Sequence, residues 1–156
     1  MDSFIFFTDS VITVRPFQAE DAPEIHSAIN ESQNETSFWL VDLKGLSLPD
    51  VQDYIDSQPE TWNEDQAYNF VILESSTNRI LGGCGLTQIN RRHRNCDLYF
   101  WIRTSATRRG FATRAVVLMA RFAFDSLGMQ RMEIIIEPEN LAGLRVAEKA
   151  GSISEG

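Results

Sequence analysis

Hydrophobic positions along the chain recur with two different periods, and their order predicts strands followed by helices. Residues Val11 to Pro16 alternate as a first strand that ends at the proline. Apolar residues from Phe17 to Ile29 recur at helical spacing after an acidic turn. The segment Glu31 to Leu48 gives a weaker signal and suits a short helix followed by a loop. Ser47 then predicts the N-cap of another helix, which continues until Pro59.

The middle of the chain predicts antiparallel strands. Ala67 to Glu74 and Arg79 to Asn90 flank the turn S-S-T-N and form a predicted hairpin. Glycines in the second run indicate a bulge or a close approach of two backbones. After a polar loop, Cys96 to Ile102 predicts a further strand. Its alternation places Asp97, Tyr99 and Trp101 on one face and Leu98, Phe100 and Ile102 on the other.

The last third predicts helix, strand and helix. The helix begins after Gly110 and ends near Leu127, Arg131 to Glu137 reads as a fifth strand, and Leu141 to Ala150 as a final helix. The stretch that joins the fourth strand to the first of these helices is a polar turn with one glycine. Such a turn directs backbone N–H groups and the positive end of the helix dipole at an anion, especially a phosphate. The residues that supply these groups are Arg108, Arg109, Gly110, Phe111, Ala112 and Thr113.

Length and composition favour one globular domain that comprises residues 1–156. Apolar residues make up 43% of the chain and charged residues 23%, and no apolar run is long enough to span a bilayer. The N-terminal decapeptide has two aspartates and no basic region of the kind that begins a signal peptide. We therefore expect a cytoplasmic protein without membrane partners.

The few cysteines and histidines argue against a metal site. Cys84 and Cys96 form no CxxC pair and lie in strand-like runs, which favours buried thiols. His26 and His93 are far apart and no HExxH motif contains either. We expect no metal cofactor.

The net charge of −8 is unevenly spread. Seven arginines and one aspartate lie between Arg91 and Arg114, which gives +6 there and −14 elsewhere. A basic patch beside the phosphate turn suits a polyanionic ligand, whereas the acidic remainder argues against nucleic acid and favours a cationic partner. A plain solvated arginine face is an equally good interpretation for Arg91, Arg92 and Arg94.

The order of these elements resembles the GCN5-related N-acetyltransferase (GNAT) family, and within it the RimJ/RimL-like branch. The resemblance runs from about Val11 to Gly151. Its carriers are V-R-P-F followed by E-D-A, the hairpin ending G-G-C-G-L, the turn T-R-R-G-F-A-T-R-A-V, then L-G-M-Q-R-M-E and N-L-A-G-L-R-V-A-E-K-A-G. It implies an α/β (α+β) fold in which helices flank a mixed, mostly antiparallel sheet.

Three features depart from the family pattern. Thr107 stands where the family usually has Gln or Arg, Gly143 where this branch commonly has Ser, and Ser152 where it has Phe. The family also closes its sheet with two strands after the final helix, and this sequence stops at Gly156. We expect either that this chain is a fragment or that a partner, such as a second copy in a homodimer, covers the exposed edge.

The resemblance implies an acetyl-CoA-dependent N-acetyltransferase that moves an acetyl group directly to a primary amine in a ternary complex. The acceptor would be a protein N-terminus or a small cationic amine. The phosphate turn would bind the coenzyme A pyrophosphate, and the backbone from Trp101 through Ile102 to Arg103 would run beside the pantetheine and offer an N–H to the thioester oxygen. Asn140 and Arg145 complete the implied donor site, although Asn140 is equally suited to cap the last helix.

The proton acceptor is the least determined part of the predicted site. Asp97 occupies a position where this branch often has Glu, and Glu133 and Glu137 are the other candidates for the base. For each of the three, a surface carboxylate without a catalytic role is the simpler interpretation. Ala147 stands where some members have a general-acid tyrosine. The aromatic residues Phe38, Trp39, Tyr54 and Trp62 are candidates either for an acceptor cleft or for the core. A CoA-binding or protein-interaction module without turnover is the alternative function.

Overall fold

A single six-stranded sheet organises the computed structural model, which describes residues 6–32, 45–136 and 138–155. The strands are β1 (Phe7–Thr8), β2 (Ile12–Pro16), β3 (Tyr68–Glu74), β4 (Ile80–Asn90), β5 (Asn95–Ile102) and β6 (Arg131–Ile134). The helices are α1 (Ala22–Glu31), α2 (Leu48–Asp56), α3 (Gln58–Asn63), α4 (Phe111–Arg121) and α5 (Leu141–Lys149). Within these ranges, every helix is too short or too polar to traverse a lipid bilayer.

The strands lie in the sheet in their order along the chain, from β1 to β6. Each neighbouring pair is antiparallel except β5 and β6, which are parallel. A parallel pair requires a crossover, and α4 provides it between these two strands. The predicted mixed, mostly antiparallel sheet with flanking helices is confirmed.

The two faces of the sheet bury separate apolar clusters. On one face α4 packs through Val116 and Met119 against Leu98 of β5 and its neighbours. On the other face α1 and α2 pack against residues that include Val71 and Trp101. The predicted alternation of side chains along β5 is therefore confirmed, because Leu98 and Trp101 belong to opposite clusters.

The element boundaries differ from the sequence predictions at three places. Strand β1 and helix α3 were not predicted, and Pro59, which we read as a stop, lies in the first turn of α3. The fifth predicted strand, which is β6, ends at Ile134 rather than continuing to Glu137. Ser47 does cap α2, and its side chain forms a capping box with Asp50.

Glycines in β4 allow two aromatic rings of β5 to lie flat against the neighbouring strand. A Cβ atom at Gly83 would lie 2.6 Å from the indole nitrogen of Trp101, and one at Gly85 would lie 2.7 Å from the ring of Tyr99. Both distances are shorter than real Cβ contacts, so any side chain would displace these rings. The predicted close approach of two backbones is confirmed at Gly82, where a Cβ atom would overlap the Trp101 carbonyl oxygen.

Candidate active site

The turn that precedes α4 presents its backbone amides without a side-chain cap. A short 3₁₀ turn at Thr104–Ala106 leads into Arg108 and Gly110, both in the left-handed region with φ of 65° and 82°. Gly110 is the N-cap and has no side chain to accept from the first helical N–H groups. No side chain in the described ranges accepts a hydrogen bond from the amides of 108–113. The first turn of a helix leaves such donors unpaired, so this end of α4 offers an anion site.

Strands β5 and β6 separate at the same end of the sheet. Their pairing begins at Asn95 with Arg131 and ends at Leu98 with Ile134. Strand β5 continues to Ile102, whereas the chain after Ile134 has left the sheet. The edge of β5 beyond Leu98 therefore has no strand partner among the described residues; we call this gap between β5 and the departing chain the opening, and the 3₁₀ turn connects the end of β5 to the uncapped end of α4.

One backbone N–H of β5 points into this opening. The N–H of Arg103 donates to the carbonyl of Leu81 at 2.8 Å, and Trp101 pairs with Gly83 in the same register. Hydrogen bonding in an antiparallel ladder alternates, so the N–H of the intervening Ile102 is directed to the opposite edge. Of the three residues predicted to run beside the pantetheine, Ile102 has the donor suitably directed for an oxyanion.

The predicted basic patch is mostly engaged in contacts that hold the fold together. Arg91 pairs with Asp65 at 2.5 Å, and the Arg94 Nε donates to the Gly128 carbonyl at 2.9 Å. Arg114 pairs with Asp9 and Arg109 with Glu74, at 2.9 and 3.4 Å, and Arg109 also stacks on the Phe111 ring. Of the predicted patch, Arg92 and Arg108 are exposed and form no ion pair with a described residue. Arg108 is the one that lies in the phosphate turn.

Arg103, which we predicted to contact the cofactor, is buried with 7% of its surface exposed. Its guanidinium lies 3.0 Å from the Glu31 carboxylate and 3.5 Å from that of Glu24, and it also donates to the Ile80 carbonyl. The second oxygen of Glu31 accepts from the Ser105 N–H at 2.7 Å. Arg103 thus joins α1 to the 3₁₀ turn, and we leave it out of the proposed donor site.

Two of the three predicted base candidates are neighbours across β5 and β6. Asp97 is in register with Glu133 on one side and with Thr87 of β4 on the other. Burial, and to a smaller extent the charge of Glu133, raises the pKa of Asp97 above its usual value. Glu133 is half-exposed and accepts from Arg131 at 2.8 Å. The burial that raises its pKa favours Asp97 as the proton acceptor, and Glu137 lies outside the described residues.

Helix α5 presents the remaining predicted donor-site residues. Asn140 is its N-cap and accepts from the Gly143 N–H at 3.0 Å, which confirms the capping interpretation. Its amide nitrogen bonds to no described residue, and the exposed Arg145 forms no ion pair with one. A Cβ at Gly143 would lie 2.7 Å from that amide nitrogen, which explains glycine in place of serine. The Thr107 hydroxyl donates to the Thr104 carbonyl at 2.9 Å and closes the 3₁₀ turn.

A cavity of about 400 Å³ lies between the sheet and helices α1 and α2. Tyr99 and Trp101 form its floor on β5, the strand whose other edge faces the opening. Of the aromatic residues considered for an acceptor cleft, Tyr54 lines the cavity. Trp62 is buried in the apolar cluster on the opposite face of the sheet. Phe38 and Trp39 lie outside the described residues. The described lining residues are Phe17, Ile25, Ile29, Leu46, Val51, Tyr54, Asn69, Thr87, Tyr99 and Trp101.

A chain of neutral hydrogen bonds forms one wall of the cavity. The hydroxyls of Tyr54 and Tyr99 are hydrogen-bonded to each other, and Tyr99 donates to the Asn69 side chain. Asn69 donates to Gln58 at 2.9 Å, and Gln58 donates back to the Tyr54 carbonyl at 3.1 Å. Burial raises the pKa of Tyr54 to about 12 despite its bond to Tyr99, so the phenol is uncharged at neutral pH. No local pattern in the sequence indicates this network, because its members come from four separate elements.

Comparison with known proteins agrees with this geometry. The family model of the acetyltransferase (GNAT) domain matches residues 12–153. "Probable N-acetyltransferase YjcK" of Bacillus subtilis is 30% identical over 155 residues, which cover 93% of this chain and 82% of that protein.

Two solved structures share the fold at low sequence identity. Ribosomal-protein-S5-alanine acetyltransferase from Vibrio fischeri has a TM-score of 0.82 at 17% identity, covering 97% of this chain and 85% of that one. Spermidine N-acetyltransferase from Vibrio cholerae, in complex with CoA and spermine, has a TM-score of 0.80 at 21% identity, covering 95% and 84%. Because the family match runs from β2 past the end of α5, the chain belongs to the GNAT acetyltransferase family, and the predicted acetyl-CoA-dependent N-acetyltransferase class is confirmed.

Proposed function

We propose that this enzyme transfers the acetyl group directly from acetyl-CoA to a primary amine that occupies the cavity beside β5, with both substrates bound at once. The observation that carries this proposal is the separation of β5 from β6 after Leu98 and Ile134, next to the uncapped end of α4. An extended donor that lies along the free edge of β5 brings its thioester to the strand whose side chains line the cavity.

The donor would be held by its charged end. Backbone amides at the start of α4 precede the first helical hydrogen bond, which Arg114 donates to Gly110, and would bind a pyrophosphate to which the helix dipole adds attraction. Arg108 adds a positive charge that no described acid neutralises. Asn140 and Arg145, at the start of α5, are available for a further contact with the donor or an ordered water.

The chemistry requires loss of a proton from the ammonium, whose reference pKa is about 10, before its nitrogen can attack. Asp97 would take this proton, either directly or through a water molecule, and its raised pKa favours that role. The nitrogen then bonds to the thioester carbon, and the Ile102 N–H stabilises the resulting oxyanion. Collapse breaks the C–S bond as the nitrogen releases its second proton to solvent, and CoA leaves as a thiolate, a fair leaving group because a thiol pKa is about 8.5.

Gly110→Glu tests the donor site. Glutamate would place a negative charge at the proposed pyrophosphate, and we expect the Kd for acetyl-CoA, measured by calorimetry, to rise at least about tenfold. Gly151→Glu is a matched control, because Gly151 also has positive φ, 97°, and also has open space where a Cβ would lie. Backbone strain is thus similar in both variants, whereas the phosphate turn carries the charge only in the first.

The two variants separate a site effect from a folding effect. Circular dichroism should show the same folded content for both, with the affinity for acetyl-CoA lost only at position 110. Equal affinities in the two variants would contradict the donor site. Normal binding of acetyl-CoA to the unmodified enzyme, with no CoA release over a broad amine panel, would instead contradict the proposed transfer.

A further inference from the structure

The cavity beside β5 has the composition of a site for an apolar group. Six of its described lining residues are aliphatic or tryptophan or phenylalanine side chains, and the others are two tyrosines, one asparagine and one threonine. Its volume of about 400 Å³ falls in the usual range of small-molecule pockets, roughly 300–1,000 Å³. No carboxylate belongs to the described lining.

The acids of the surrounding helices have other partners or face solvent. Glu24 and Glu31 of α1 pair with Arg103, and Glu31 also accepts from the turn before α4. Asp50 of α2 closes the capping box with Ser47. Asp53 is exposed on α2. The described acids of α1 and α2 thus pair with other groups or face solvent, whereas Glu35 and Asp42 lie outside the described residues.

The polar groups of the cavity are uncharged and largely satisfied. Tyr54, Tyr99 and Asn69 bond to one another, so they offer an incoming molecule individual hydrogen bonds but no counter-charge. An ammonium placed among them would lose its hydration without gaining an ion pair, which is strongly unfavourable. An aromatic or branched aliphatic group would instead pack against Trp101 and the aliphatic side chains of α1.

On the basis of the proposed function, we infer that the acceptor is a primary monoamine whose carbon skeleton is apolar, either aromatic or branched, rather than a polyamine. The apolar part fills the cavity and the single amine lies at its edge on β5. A free arylalkylamine and a peptide N-terminus with a large apolar first residue share this chemistry.

Among the described residues, Asp97 is the acid that lies beside the lining of the cavity. Asp97 is directly opposite Thr87, a lining residue, and lies on the same face of β5 as Tyr99. The amine that reacts can therefore meet a carboxylate before it loses its proton. A second or third ammonium, as in spermidine, would have to lie among neutral and apolar groups.

The test is a panel of acceptors with the full-length chain, in which CoA release is followed by thiol detection. We expect kcat/KM for 2-phenylethylamine and isopentylamine to exceed that for putrescine and spermidine by at least about tenfold, the scale on which apolar pockets discriminate. Two tetrapeptides, Phe-Ala-Ala-Ala and Ser-Ala-Ala-Ala, distinguish a peptide N-terminus from a free amine as the acceptor. Preference for the first peptide over the free amine assigns the cavity to a protein N-terminus, and the reverse assigns it to a small molecule.

A pair of variants locates the selectivity. Phe17 is half-buried at the cavity, where its ring meets Tyr54 edge-on at 5.7 Å, whereas Phe124 follows the end of α4, is 43% exposed and does not line the cavity. Phe17→Glu places a carboxylate in the cavity, so the ratio of kcat/KM for 2-phenylethylamine to that for putrescine should fall about tenfold. Phe124→Glu introduces the same change outside the cavity and should leave the ratio unaltered. If Phe17→Glu does not fold, the acceptor panel measured on the unmodified enzyme still tests the inference.

The outcomes separate this inference from the proposed function. CoA release that is fastest with spermidine would overturn the inference and leave acetyl transfer intact. An equal fall of the ratio in both phenylalanine variants would also overturn it, because the cavity would then not be the selective element. If no amine of the panel caused CoA release, the inference and the proposed transfer would both be overturned.

Discussion

Replacement of Glu31 by glutamine tests whether α1 positions the donor turn. Glu31 is the last residue of α1, yet its two oxygens bind groups more than seventy residues away in the chain. One oxygen accepts from Arg103 at 3.0 Å and the other from the Ser105 N–H at 2.7 Å. Ser105 lies three residues before Arg108, so this contact fixes the chain where it enters the proposed phosphate turn.

The size of the effect follows from the pKa of Glu31. Burial by itself would raise this pKa, but the hydrogen bonds from Ser105 and Arg103 lower it from 4.5 to about 2. At about 1.36 kcal/mol for each unit, the full shift corresponds to about 3.4 kcal/mol of stability. The side chain is 29% exposed, and solvent screening reduces this to about 1–2 kcal/mol.

The sign of the pH dependence is determined by the lowered pKa. The stabilisation is fully present above the unfolded-state pKa of 4.5 and is lost as the pH falls from 4.5 towards 2. Urea unfolding should therefore show Glu31→Gln about 1–2 kcal/mol less stable than the unmodified protein at pH 7, with a smaller difference at pH 3.5. The Kd for acetyl-CoA should rise by about threefold or more because the turn is less constrained.

Glu20→Gln is the control for Glu31→Gln. Glu20 is exposed, lies just before α1 and forms no ion pair with a described residue. Its replacement removes one negative charge without removing a contact. If the two variants had the same stability and the same affinity for acetyl-CoA, the role assigned to the contact between Glu31 and the turn would be refuted.

Two further substitutions probe the proton acceptor and the last helix. Asp97→Asn should lower kcat about 10²-fold at pH 7 and abolish the acidic limb of the pH–rate profile. Glu133→Gln should move that limb to lower pH, because it removes the charge that raises the pKa of Asp97. An unchanged profile in Asp97→Asn would show that another group is the base. Gly143→Ser should displace the Asn140 side chain and lower the stability measured by thermal unfolding by about 0.5–2 kcal/mol. Ala142→Ser, at an exposed position of the same helix, is the control and should cost less stability. Equal losses in the two variants would contradict the close contact between position 143 and Asn140.

The sequence predicted elements whose signals are local. Local sequence specifies the alternation in Cys96 to Ile102, the capping serine of α2, and the left-handed glycines before α4 and after α5. It misjudged elements that depend on distant partners. Residues 135–136 have the composition of a strand, but β6 ends at Ile134, where the chain separates from β5, which itself continues to Ile102. Pro59 stops α2 in isolation, yet it also fits the first turn of the next helix.

The candidate site was predictable where it is made of backbone and unpredictable where it is made of side chains. The phosphate turn follows from one contiguous stretch around Gly110. The partners of the arginines do not follow from a contiguous stretch, because Arg114 binds Asp9 and Arg103 binds Glu31, in each case more than seventy residues away in the chain. Local charge counting therefore indicated a basic patch that the fold largely neutralises. The cavity likewise brings together separate segments, and no single segment carries its signature.

Strand β5 explains how one short element can serve two substrates. Its odd-numbered side chains, Tyr99 and Trp101, face the cavity, while its even-numbered side chains pack towards α4. Its free edge beyond Leu98, with the Ile102 N–H, faces the opening in which we place the donor. Because the pleat separates these three directions, a change in the lining of the cavity alters which amine fits without moving the thioester or the phosphate turn. Acceptor choice should accordingly vary with residues on α1, α2 and the odd positions of β5, independently of the residues that bind acetyl-CoA.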